Sequence, residues 1–509
     1  MPLRSPAVLL AAVLPLATLG GCKVAHAGQA ASAPADTATG TYAKIVENDF
    51  RDVGSAPLST FGLDVDTASY GNVRALLRSG TLPPANAVRV EEFVNAFRYH
   101  DPHPDGADAL AATTEVQACP WAPDHWLLRI GVRARDVEAG QAPPANLVFL
   151  IDVSGSMQPD DRLPLVKRAL AVLIDHLRPQ DRIAIVTYAN GVNVPIAVAT
   201  GSDTADIRRV VDGLRAAGST NGASGLRTAY RVAQDLRPRG ETGRVILVSD
   251  GDFNVGVQTP AELRELVRRE RSSGTFLTVL GCGRDNLRDD NLEAMADSGN
   301  GTYHYLDGMP TARKLFGSRF DEQMFCVAKD AKVQVEWNPT HVASWRLLGY
   351  ENRLLGARDF ANAGKDGGEV GAGQSVTALY ELVPRRGAGH DGVPLRYRAE
   401  AAAPTGRHAD ELLRVSLCWQ APAGGDTVVR ECLVAARDVA SAPPSHDFQV
   451  AATAASFAML LRESRHRGQL DWPVLQRMTD RLDGEVVAEH ELAELVDRAA
   501  QLCGVVGTR

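Results

Sequence analysis

Cysteine is scarce in this 509-residue chain, and what there is does not gather. Of seven cysteines, Cys22 lies near the N-terminus, while Cys119, Cys282, Cys326, Cys418, Cys432 and Cys503 are scattered. Without a CxxC pair, neither a structural zinc site nor a thioredoxin-type centre has support, and no disulfide framework is evident. One bridge is suggested by spacing. If Gly424-Gly425 turns a hairpin between LLRVSLCW and TVVRECLVAA, Cys418 and Cys432 each stand seven residues from Gly425 and face one another. Two buried free thiols are the alternative. A basic surplus is missing too: a formal net charge of -8 leaves nothing to neutralise phosphates, which excludes nucleic acid as a partner. G-x-S-x-G, G-x-x-x-x-G-K-[ST] and a strand-following G-x-G-x-x-G are absent, so nucleotide and acyl-transfer chemistry have no motif. His490-Glu491-Leu492-Ala493-Glu494 misses the zincin pattern because Glu494 stands where the second histidine belongs. Long apolar runs are lacking beyond the N-terminus, and no internal repeat is visible.

The N-terminus itself has a plan. Arg4 precedes PAVLLAAVLPLATL, then Gly20-Gly21-Cys22. A basic start, a short apolar core and small residues at a cut make a secretory signal, too short and too proline-interrupted to span a bilayer. Leu19-Gly20-Gly21-Cys22 resembles the lipobox of bacterial lipoproteins, which implies lipidation of Cys22 and membrane attachment through that lipid. A plain signal peptide with a chance cysteine is the bland alternative. Lys23, not Asp, follows the cysteine, and the resemblance implies outer-membrane sorting, facing the periplasm.

At this length more than one core is expected, and the pattern along the chain divides it. Residues 1–21 read as signal peptide, and 22–45, rich in Ala, Ser, Thr and Gly, as lipidated cysteine and flexible tether. Residues 46–145 mix strands, among them 113–119 and 125–134, with two helical patterns, YGNVRALLRSG and VRVEEFVNAFRY. From 146 to 324 strand and helix alternate strictly, and the strands are near-continuous Val, Ile and Leu. That predicts an α/β, doubly wound domain with a mostly parallel sheet. Residues 325–446 are β-rich and, with the strands before 146, suit a sandwich into which the α/β domain is inserted. Residues 447–509 are helical, with VAATAASFAMLLRES and HELAELVDRAAQL as amphipathic runs.

The first strand of the α/β region, NLVFLID, ends in Asp152-Val153-Ser154-Gly155-Ser156. Alone, this could be a tight turn. In an open parallel sheet, however, ligands bind beyond the carboxyl ends of strands. Gly218-Ser219-Thr220-Asn221-Gly222 precedes a helix at the same edge, and Ser249-Asp250-Gly251-Asp252 ends the strand RVILVSD. Together the loops offer Asp152, Ser154, Ser156, Thr220 and Asp250, all hard oxygen donors suited to Mg²⁺ or Mn²⁺. Asp252 reads as a loop cap in preference to a ligand. Asp64-Val65-Asp66-Thr67-Ala68-Ser69 echoes the motif without companion loops and reads as a strand end with a helix cap. His100-Asp101-Pro102-His103 reads as a solvated loop.

DVSGS followed by GSTNG and SDG resembles the metal-ion-dependent adhesion site of von Willebrand factor type A domains. That resemblance implies that Ser154, Ser156 and Thr220 meet the ion through hydroxyls, and Asp152 and Asp250 directly or through water. PLSTFGLDVDTASYGNVR, GSTNGASGL, SDGDFNVG and WRLLGYENRLL are similar to a group of bacterial envelope lipoproteins, the YfbK-like family. The expectation is a non-enzymatic, metal-dependent binding or scaffolding lipoprotein of the cell envelope, engaging an exposed Asp or Glu of a protein partner. A metal-assisted hydrolase and a structural protein whose ion braces the loops are the alternatives. Lipidation has a direct test: a fatty-acid analogue should label the wild type in cells and leave Cys22→Ala unlabelled.

Overall fold

The structure, a computed structural model, describes residues 40–63, 66–137, 142–238, 241–251, 260–271, 274–284, 287–362, 365, 367–385, 408–482 and 486–505. The expected signal segment, Cys22, most of the expected tether, Asp64, Asp252 and a strand expected at 394–400 lie outside the described residues. The chain opens with β1 (Arg51–Asp52), β2 (Leu58–Gly62), α1 (Ala68–Arg78), α2 (Val90–Val94), β3 (Leu110–Cys119) and β4 (Ala122–Ala134). Strand and helix then alternate through β5 (Asn146–Asp152), α3 (Leu163–His176), β6 (Arg182–Tyr188), β7 (Val192–Thr200), α4 (Thr204–Gly213) and α5 (Gly222–Leu236). The series continues with β8 (Gly243–Ser249), α6 (Pro260–Arg271), β9 (Thr275–Cys282), α7 (Asp289–Ser298), β10 (Tyr303–Leu306), α8 (Met309–Arg313) and α9 (Phe320–Met324). Strands return as β11 (Cys326–Trp337), β12 (Val342–Leu348), β13 (Leu354–Leu355), β14 (Val370–Gly371), β15 (Ser375–Pro384), β16 (Glu411–Gln420) and β17 (Val428–Ala435). Helices α10 (His446–Leu461), α11 (Trp472–Thr479) and α12 (Val487–Leu502) finish the described chain.

The α/β sheet has the order β10-β9-β8-β5-β6-β7 and is parallel except at its β7 edge. Residue parity assigns its two faces. Phe149, Ile151, Ile183, Ile185, Ile246 and Val248 pack with α3, whereas Val148, Leu150, Ala184, Val186, Val245 and Leu247 pack with α5 and α7. Both faces are covered, which is why the strands carry unbroken apolar runs.

Strands from before and after this sheet interleave in two others, β1-β12-β15-β4-β3 and β13-β2-β11-β16-β17, with β14 beside β11. They face each other as a sandwich: Trp337 of β11 stacks on Trp345 of β12 with ring centroids 5.6 Å apart. The Tyr380 hydroxyl of β15 meets Ser59 Oγ of β2 at 2.9 Å. The α/β segment is inserted between β4 and β11, and the fold is the α/β class expected, with a flanking sandwich and terminal helices.

Several details differ from expectation. The Cys418–Cys432 bridge is not made; both are free thiols. The hairpin register sets Cys418 opposite Val429 and Cys432 opposite Val415. Cys432 is three residues from Val429, and an odd offset points the two sulfurs to opposite faces. The turn is centred ahead of Gly425. The ordered body also starts before residue 45, since Thr41 N donates to Leu287 O at 2.9 Å and Tyr42 accepts from Asn72. The helix expected in VRVEEFVNAFRY shortens to α2, five residues. Helix α10 is buried on nearly every side from Phe448 to Leu461, apolar all round and not amphipathic, with α2, α11 and α12 packed around it. Asp101, expected in a solvated loop, is buried beneath Arg129, whose Nη1 and Nη2 donate to its two oxygens at 2.9 and 2.7 Å. No helix among the described residues is long and apolar enough to cross a membrane.

Buried charge joins the three regions. Arg89, preceding α2, pairs with Glu92, with Asp289 at 2.6 Å and with Glu293 of α7 at 3.2 Å. Asp66 accepts from Tyr303 N of β10 and from Arg353 of the sandwich, which also pairs with Asp297. Next to this network, burial first and the charges of Glu351 and Glu92 second push the Glu91 carboxyl up to about 8. A carboxyl held above its unfolded value favours folding fully below the unfolded pKa, and that contribution is lost as pH rises through the folded pKa. Thermal stability should therefore fall between pH 5.5 and 8. Glu91→Gln should flatten that decline and raise Tm at pH 8 by about 2–4 °C, read by circular dichroism across the pH series.

Candidate metal centre

Five loops meet at the carboxyl edge of the α/β sheet. Asp152 ends β5 fully buried; its Oδ1 accepts the Ser154 backbone N–H at 2.8 Å, an Asx turn that bends the chain out of the strand. A 3₁₀ turn over Gly155–Met157 follows and brings Ser156 back, so that Ser154 Oγ and Ser156 Oγ lie 3.0 Å apart. The turn is tied to its neighbours by backbone: Val153 N to Tyr188 O at 3.0 Å, Gly155 N to Gly218 O at 2.9 Å and Ala217 N to Val153 O at 2.8 Å. Gly218 has φ +87, and the next residue, Ser219, donates through both N and Oγ to Asn190 Oδ1 after β6. Thr220 follows, half-buried on this same loop. Asp250, buried at the end of β8, occupies the fourth side, and Gly251 beyond it has φ +94. A Cβ at Gly251 would approach Arg288 N, on the fifth loop, to 2.4 Å, so only glycine fits.

The electrostatics favour a cation. Asp152 Oδ2 is buried and accepts no hydrogen bond of good geometry, although the buried Tyr188 hydroxyl is near enough to act on this carboxyl as a donor. Burial pushes this carboxyl up to about 6; the bonds from Ser154 oppose the rise and the neighbouring Asp250 adds to it. Tyr188, buried beside it, has its hydroxyl pKa raised well above the ordinary value by burial and then by the charge of Asp152. A desolvated carboxylate oxygen beside two hydroxyls is costly unless it is paired or coordinates a metal. The donor set is hard oxygen throughout and fits a dication such as Mg²⁺ or Mn²⁺. Asp152, Ser154 and Ser156 are thus brought into contact, Asp250 stands at the same edge, and Thr220 is on a loop bonded to theirs.

One charged group was not foreseen. Arg162, at the start of α3, donates through Nη1 to Asp250 Oδ2 at 2.7 Å and to Ser156 O at 2.6 Å. In the sequence it is one of several basic residues around an amphipathic helix, with Lys167 and Arg168 close behind. Its position six residues after Ser156, just before Leu163-Pro164, was the available signal.

Away from this edge, the carboxylate oxygens of Asp66, Glu92 and Glu293 lie within 4.8 Å of one another. Arg89 and Arg353 already pair with them, so they form the interior charge network.

Residues 146–317 match the family model for the von Willebrand factor type A domain. Residues 36–129 match a model described as von Willebrand factor, and 322–502 one described as "Uncharacterized protein YfbK, C-terminal". The protein YfbK of Escherichia coli K12 is 37% identical over 458 residues, covering 89% of this chain and 79% of its own. The chain belongs to the YfbK-like family of von Willebrand factor type A proteins. Inter-alpha-trypsin inhibitor heavy chain H3 of Mesocricetus auratus is 31% identical over 166 residues, 31% of this chain and 18% of its own length. A solved von Willebrand factor type A protein from Catenulispora acidiphila aligns with 80% of this chain and 88% of its own, at 18% identity and TM-score 0.43. In this YfbK-like chain the type A match spans the whole inserted sheet, while the YfbK C-terminal match begins in α9 and runs through the sandwich strands to the end of α12.

Proposed function

We propose that the protein is a non-enzymatic, divalent-metal-dependent binding and scaffolding lipoprotein of the bacterial cell envelope. It is anchored through Cys22 and binds a partner protein's Asp or Glu. The observation that carries this reading is the buried Asp152 Oδ2, left without a good hydrogen bond beside the paired Ser154 and Ser156 hydroxyls. Membership of the type A family supports a protein-binding role. Asp152, Ser154, Ser156 and Asp250, with Thr220 on the adjoining loop, would hold Mg²⁺ or Mn²⁺; when bound, the ion supplies a Lewis-acidic position for an external carboxylate. The chain's own residues do the rest. The Asx turn and the Gly218 contact fix the serine loop against the sheet, so donors are positioned before a ligand arrives and little ordering cost is left to binding. Asp250 already accepts from Arg162, which leaves it poorly suited to act as a general base and favours binding over hydrolysis. The composition of the segment after Cys22 suits a tether that presents the folded body away from a membrane surface.

The test is direct. Wild type should bind one Mn²⁺, followed by the electron paramagnetic resonance of the free ion, and Asp152→Ala should weaken this more than about 100-fold. Circular dichroism should be unchanged, because Asp152 contributes no packing to either apolar face. Capture of a purified carboxylate-bearing partner should be lost with chelator and with Asp152→Ala alike. Equal Mn²⁺ binding by the two proteins would refute the site.

A further inference from the structure

Arg162 places a positive charge beside the loops that would hold a dication. Its guanidinium is buried with Asp250, side-chain exposures being 8% and 1%. The group is held from several sides: Nη1 bridges Ser156 O and Asp250 Oδ2, Arg162 N donates to Pro159 O, and Arg162 O accepts from Val166 N of α3. Beyond the guanidinium lies Gly283, where even a Cβ would come within 2.4 Å of Arg162 Nε. The cation therefore has little space into which to withdraw. Among the described residues nearby, Asp161 and Arg284 lie toward the surface 3.5 Å from each other and offset one another.

The consequence is a charge count. Asp152 and Asp250 bring two negative charges and Arg162 one positive, so these three side chains sum to one negative charge. A dication leaves the group at plus one, where two carboxylates alone would have left it neutral. Excess charge in a poorly solvated site is unfavourable, and one external carboxylate restores neutrality. We propose that Arg162 is an internal counter-cation that weakens metal binding in the free protein and couples it to the carboxylate of the partner. Metal and partner then bind cooperatively, each raising the affinity for the other by the same factor. This rests on the metal reading above and adds to it a positioning residue that sets the strength of the partner contact.

The experiment titrates Mn²⁺ into the full chain as wild type, Arg162→Gln and Arg162→Lys, with and without acetate as the carboxylate probe. Arg162→Gln should bind Mn²⁺ at least about tenfold more tightly than wild type, since removing a like charge at short range exceeds one decade of affinity. Arg162→Lys, which keeps the charge, should stay near wild type. Acetate should tighten Mn²⁺ binding to wild type and to Arg162→Lys, and leave Arg162→Gln nearly unchanged. Equal or weaker Mn²⁺ binding by a folded Arg162→Gln overturns the proposal. If that variant does not fold, the wild-type arm decides alone: Mn²⁺ affinity indifferent to acetate overturns it. Failure of wild type itself to bind Mn²⁺ would instead remove the metal reading on which the coupling depends.

Discussion

The antiparallel pairing of β2 with β11, from Gly62–Lys332 to Leu58–Glu336, holds the rest of the structure together. These residues are some 270 apart in sequence, and everything between them, including the α/β sheet, is closed into one loop by this ladder. The same principle repeats in the other sheet, where β4 pairs with β15 across a similar separation. An insert fixed at both ends loses much of the freedom to swing on a linker. The α3 face of the α/β sheet shares one apolar cluster with the sandwich, so Phe149, Leu173 and Phe316 belong to the same core as Val333 and Tyr380. Contact-rich cores of this kind open cooperatively. The loops of the candidate centre are therefore mounted on a base that extends well beyond their own sheet.

Charge does a different task at this junction. Apolar contact is tolerant of small rotations, whereas Arg89 reaches Glu92, Asp289 and Glu293 at once only in one arrangement. Asp66 likewise spans from the Tyr303 amide to Arg353. Replacing such a network by apolar side chains would often cost nothing in stability. Its ion pairs join the N-terminal helices, α7 and the sandwich, and are all made together in this one arrangement. The edge strand β10 gains from the same contacts, since Thr67 N and Asp66 cover one side of Tyr303.

Features that depend on local period are legible in the sequence, and those that depend on partners are not. Unbroken Val, Ile and Leu runs in NLVFLID and RVILVSD identify strands covered on both faces, and their ends place Asp152 and Asp250 at one edge. Counting strands on either side of 146–324 suggests the sandwich, but not that β11 lies between β2 and β16. The hairpin register fails because Gly424-Gly425 is an attractive turn centre, yet the turn spans residues 421–427 with its centre earlier. VAATAASFAMLLRES reads as amphipathic because Thr453 and Ser456 interrupt it; in the fold both are buried, Thr453 Oγ1 donating to Gln449 O within the helix. Arg89 and Arg162 look like ordinary surface cations in one dimension, because what makes them interior is acids contributed by other elements.

Within the candidate centre the oxygen donors are held with unequal firmness. Asp152 and Ser154 are locked by an Asx turn at the end of a buried strand, and Ser156 by its hydroxyl contact and the Arg162 bond to its carbonyl. Thr220 is fixed only through its loop, two residues beyond the Gly218 carbonyl that Gly155 grips and next to a serine bonded to Asn190. Movement confined to Ser219–Asn221 would leave in place the bonds that Ala217 and Gly218 make to the serine loop. The loop also leads directly into α5, whose buried face, including Leu226 and Tyr230, packs on the α/β sheet. Any shift of Thr220 toward the serines must therefore be absorbed between Gly218 and Gly222, in the few residues ahead of that packed helix.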